Sequence, residues 1–110
     1  MARCDQGYLC AVCGGEVEEI TESELYLGYV LGEVGVEDLL KRPDRHIRCA
    51  TERGQYVVDP DFPPVRCEGF FDKALLDPTF VKEEEARVTR GWRRLQEVVR
   101  LGVPIGEYPL

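Results

Sequence analysis

The sequence predicts an α+β fold: a small N-terminal part with a hairpin and short helices, packed against one long amphipathic C-terminal helix. Three observations carry this. Short apolar stretches flank a tight Gly14-Gly15 turn near the N-terminus. The stretch from Pro78 to Leu101 has the caps, charge gradient and apolar spacing of one continuous helix. With 110 residues, 44% of them hydrophobic, the chain suits a single domain, residues 1–110, with a modest core.

In chain order, Gly7 to Val17 reads as a strand, a turn and a return strand, the paired glycines supplying backbone angles that other residues resist. Thr21 with Glu24 fits a capping box, and Leu25, Tyr26, Tyr29 and Val30 follow at helical spacing. Leu27 and Leu31 make this stretch apolar on more than one side, which leaves a strand open. Val36 to Lys41 is a short helix stopped before Pro43. Cys49 to about Val57 is a third helix candidate, weakened by Gly54. Residues 59–66 form a proline-rich crossover. Pro60, Pro63 and Pro64 exclude regular helix or a central strand there, and Phe62 and Val65 offer apolar anchors.

Residues 67–110 are a helical part with an extended tail. Asp77 is a good N-cap and Pro78 suits the first turn. Glu83, Glu84 and Glu85 fall near the positive end of the helix dipole, and Arg93, Arg94 and Arg100 near the negative end. Val81, Val88, Trp92, Leu95 and Val99 fall on one face. Gly102 ends a helix roughly 35 Å long, and Pro104 follows. The apolar tail from Val103 to Leu110 is expected to pack back on the domain or to dock on a partner.

Composition excludes several classes. No apolar run approaches the ~20 residues of a membrane helix, so no membrane role is expected. The polar start Met1 to Gln6 lacks the apolar stretch of an export signal, which points to a soluble chain in the cytoplasm. A net charge of -7 makes nucleic acid an unfavoured partner.

The five cysteines are Cys4, Cys10, Cys13, Cys49 and Cys67. An odd number in a reducing compartment points to metal binding or redox chemistry rather than a disulfide scaffold. One or both of Cys4 and Cys67 read as small buried hydrophobes. Cys10-x-x-Cys13 places two thiolates where both can reach one tetrahedral ion, and the glycine that follows lets backbone N–H groups face the sulfurs. His46-x-x-Cys49 repeats the spacing with the only histidine. A Cys3His set is a standard closed zinc site without an open position for substrate. Cys67 is the alternative fourth ligand, in a Cys4 set with His46 displaced.

Over about six residues, Cys10 to Gly15 resembles the zinc knuckle of zinc ribbons, treble-clef fingers and rubredoxin-like sites. The treble-clef resemblance implies that the second ligand pair lies at the N-terminus of a helix, which a helix starting near Cys49 would match. It makes residues 1–58 a metal-bearing part, zinc-knuckle and treble-clef-like in character.

Charge is segregated. Glu16 to Asp38 holds eight acidic residues and no basic one; Lys41 to Arg53 holds five basic residues; Arg87 to Arg100 holds five arginines. The acidic run is expected to be a solvated face, an internal partner for Lys41–Arg53, or a docking surface for a basic protein. Glu83 with Arg87, and Arg93 with Glu97, are spaced for helix pairing. Trp92 is expected in the core. The functional expectation is a small Zn2+-binding protein with a structural Cys/His site, acting as a protein-interaction or adaptor module without catalysis of its own. The alternatives are a thiol redox or metal-dependent enzyme using Cys10 and Cys13, a Cys–His nucleophile using His46, and a nucleic-acid-binding zinc module using the Arg87–Arg100 stripe.

Overall fold

The structure, a computed structural model, describes residues 8–110; Cys4 lies outside them. Helices dominate. The elements run β1 (Tyr8–Leu9), β2 (Glu16–Val17), α1 (Glu24–Val30), α2 (Asp38–Lys41), α3 (Thr51–Gly54) and α4 (Pro78–Leu101), with 3-10 turns at Ile20–Glu22, Lys73–Leu75 and Ile105–Glu107. Among the described residues the sheet is only the antiparallel hairpin β1-β2, pairing Tyr8 with Val17 and Leu9 with Glu16. At its turn Gly14 takes φ 77°, a left-handed conformation that glycine adopts without strain.

α1 is apolar all round because it is enclosed. Leu25, Tyr26, Leu27, Tyr29 and Val30 are all buried, and this settles the strand alternative in favour of helix. Its N-cap is Ser23 rather than Thr21, since Thr21 lies inside the preceding 3-10 turn. The Ser23 hydroxyl accepts the Tyr26 N–H at 3.0 Å and donates to the buried Asp44 carboxylate at 2.7 Å.

α3 is shorter than the predicted Cys49–Val57 helix. The N–H groups of Cys49 and Ala50 both donate to the His46 carbonyl, so the chain turns there before helix begins at Thr51. Gly54 has a packing reason rather than a propensity cost. A Cβ at this position would lie 2.5 Å from the Ile47 carbonyl oxygen.

α4 spans the predicted residues with the predicted caps. Asp77 accepts the Phe80 N–H at 3.1 Å, and Gly102 ends the helix at φ 68°. Val88, Trp92 and Leu95 are buried as expected, but Val98 completes the face and Val99 is half exposed. Leu95 has helical neighbours three and four residues on, and the core contacts the first. α4 packs on α1 at close range. A Cβ on Gly91 would come within 2.7 Å of Leu31 Cδ2.

The crossover is anchored as expected. Phe62 is buried edge-on against Trp92, with ring centroids 5.6 Å apart, and Val65 packs on the core. The buried Thr89 hydroxyl on α4 accepts from Val58 N–H and donates to the Tyr56 carbonyl. The tail packs back. Arg94 donates to the Glu107 and Tyr108 carbonyls, Leu110 N–H bonds the Val30 carbonyl, and the Tyr108 ring sits against Tyr26 and Tyr29.

The charge segments pair with one another in part. Glu24 meets Arg45 and Arg53, and Glu33 meets Arg53 and Arg87. On α4, Arg87 pairs with Glu84 instead of Glu83. Arg93 reaches across to Asp59 in the crossover, which leaves Glu97 to Arg94. Among the described residues, no helix is long and apolar enough to cross a membrane.

Candidate metal centre

The two half-sites come from segments far apart in sequence. The hairpin turn supplies Cys10 and Cys13, and the turn before α3 supplies His46 and Cys49. Backbone hydrogen bonds bring them together. Ala11 N–H bonds the Asp44 carbonyl at 2.9 Å, and Ile47 N–H bonds the Glu22 carbonyl at 2.8 Å.

The ligand atoms of Cys10, Cys13, His46 and Cys49 all lie within 4.8 Å of one another, so the group could hold a metal ion. All three cysteines are free. Cys67 is outside this group. Its Sγ is buried and makes only a 3.9 Å contact with the Glu68 carbonyl.

Donors surround the sulfurs as the glycine-rich turn predicts. Cys10 Sγ accepts from Val12 and His46 N–H, both at 3.4 Å, and Cys13 Sγ accepts from Gly15 N–H at 3.3 Å. His46 Nδ1 lies 3.4 Å from Cys13 Sγ and 3.7 Å from Cys49 Sγ. Nε2 lies 2.9 Å from the Glu16 carbonyl oxygen. A carbonyl can only accept, so Nε2 carries a proton. In the neutral ring that leaves the Nδ1 lone pair toward the thiols, and in the protonated ring Nδ1–H donates to them. This is the orientation a metal-ligating imidazole needs.

Burial works against ionising Cys10, but hydrogen bonds from the backbone of Cys13, His46 and Val12, joined by the His46 ring, outweigh it. They bring its thiol down to about 6. Burial raises Cys49, and its neighbours Cys10 and Cys13 raise it further, to about 11. Burial disfavours charge on His46, yet its Glu16 bond and the nearby thiols lift its pKa. The Cys10 thiolate is therefore easily formed, and that of Cys49 is opposed by its neighbours. A bound divalent cation reverses that opposition, because coordination deprotonates thiols.

Sequence reasoning missed the residues that support the ligands. Asp44 is 3% exposed and accepts from Ser23 Oγ, Leu25 N–H and Arg45 N–H. Its carboxylate joins the N-terminus of α1 to the strand-like segment entering His46. The available signal was slight: Asp44 is the sole carboxylate between Lys41 and Arg48. The Glu16 carbonyl that orients His46 is a backbone group, which side-chain identity does not reveal.

Comparison with protein-family models, curated proteins and solved structures finds no match to this chain.

Proposed function

We propose that Cys10, Cys13, His46 and Cys49 bind one Zn2+ as a structural site, and that the chain acts in the cytoplasm as a protein-interaction or adaptor module. The observation that carries the metal reading is the convergence of four ligand atoms within 4.8 Å, with His46 Nδ1 facing the thiols of Cys13 and Cys49. Mixed nitrogen and sulfur ligation favours zinc over iron. Four protein ligands close a tetrahedral site, which argues for a structural ion over a catalytic one. In this reading the metal ties the hairpin to the segment before α3, and Cys49 two residues ahead of α3 gives the arrangement its treble-clef character. A single core that draws residues from both sides of the crossover supports one domain over residues 1–110.

Protein contact is supported by the exposed apolar side chains of Phe70, Phe71 and Leu75. The thiol-redox reading is weakened because Cys10, whose thiol is brought down to about 6, is only 3% exposed. Zinc analysis of variants tests the site. Cys13→Ser and Cys49→Ser are expected to lose the metal, while Cys67→Ser keeps one zinc per chain. Full retention in both of the first two variants would refute the ligand set.

A further inference from the structure

A cleft of about 1120 Å³ lies between the proline crossover, the loop carrying Cys67 and the first turns of α4, and none of the four clustered Cys and His side chains lines it. Its size lies just above the roughly 300–1,000 Å³ range of small-molecule sites. The walls are mainly apolar, with Val57, Phe62, Val65, Leu76 and Val81 among them. The charges along the walls are unevenly matched. Asp59 is paired with Arg93 and Lys73 with Glu85, whereas the Asp72 carboxylate caps Ala74 N–H and has no ion-pair partner among the described residues. Arg66 and Lys82 also line the cleft, and neither has an ion-pair partner among the described residues. In a chain of net charge -7, such unmatched cations beside an apolar hollow call for an apolar molecule with an anionic end. An arginine fork suits a carboxylate in particular.

We propose that this cleft binds a free long-chain carboxylate, its chain against the apolar walls and its head on Arg66 and Lys82. The site stands independently of the metal. The test uses a fluorescent fatty acid, 11-(dansylamino)undecanoic acid, and its uncharged primary amide, titrated into the 110-residue chain. The acid is expected to bind saturably, one per chain. Val81→Trp, which fills the cleft, is expected to abolish binding. The exposed double variant Arg66→Glu/Lys82→Glu is expected to weaken the acid at least about tenfold and leave the amide little changed. Both variants are checked by circular dichroism. No saturable binding of the acid, equal affinity for acid and amide, or wild-type affinity in the folded double variant would each overturn the proposal.

Discussion

Asp44 holds three donors from two segments while nearly removed from solvent. Asp44→Ala would strand the Ser23 hydroxyl and the Leu25 N–H in a buried place. With hydrogen bonds to charged groups worth roughly 1.5–3 kcal/mol each, a loss of about 3 kcal/mol is expected in urea unfolding. A midpoint within error of wild type would contradict the role assigned here. Gly54→Ala forces a Cβ onto the Ile47 carbonyl. Overpacking of this kind costs about 1–3 kcal/mol, again measured by unfolding. The clustered cysteines and the histidine were legible because ligand pairs announce themselves at local spacing. Asp44 and Gly54 were not, because their roles depend on Ser23, Leu25 and Ile47, contacts that composition and spacing do not encode.

Elements were legible where their signals are local. α4 carries its own cap, dipole charges and terminating glycine, so its ends could be read directly. Asp77→Ala is expected to cost about 1 kcal/mol through the lost cap, seen as a lower unfolding midpoint. α1 was harder, since an enclosed helix has no polar face to give its period. Its cap moved from Thr21 to Ser23 because Ser23 also reaches Asp44, a contact made across the fold. The link among the segment after α1, α3 and α4 runs through Glu33, which meets Arg53 and Arg87. Burial opposes its ionisation, but these two arginines hold its carboxyl below the ordinary 4.5. A depressed folded pKa means that the native state binds the proton less readily than the unfolded chain. Glu33 therefore stabilises the fold above pH 4.5, and this contribution fades as pH falls through its folded value. Comparing wild type with Glu33→Gln should show the stability gap narrowing on acidification. A gap that is constant with pH would contradict this linkage.

For the whole molecule, the sequence reading anticipated a long covering helix and a Cys/His cluster, and both are present. It also anticipated the single hairpin, but the α+β class overweights strand in a fold that helices dominate. It left the tail undecided, since packing on Tyr26 and Tyr29 depends on where α1 ends up in space. The acidic run proved in part an internal partner for the basic one, through Glu24, Glu33 and Asp38, and in part a solvated face at Glu16, Glu18, Glu19 and Glu37. Composition alone offered these among three choices. If zinc joins the two half-sites, its binding energy is folding energy. A strong chelator should then lower the thermal midpoint of the wild-type chain, and leave that of Cys13→Ser/Cys49→Ser unmoved. An equal response of both proteins would remove the link between metal and stability.

The most direct measurement is native mass spectrometry of the chain as purified, compared with the same sample after acid denaturation. The account expects one zinc per folded chain, lost on acidification together with the compact charge-state distribution. A folded chain carrying no metal before or after, even when purified with zinc present, would contradict the central claim.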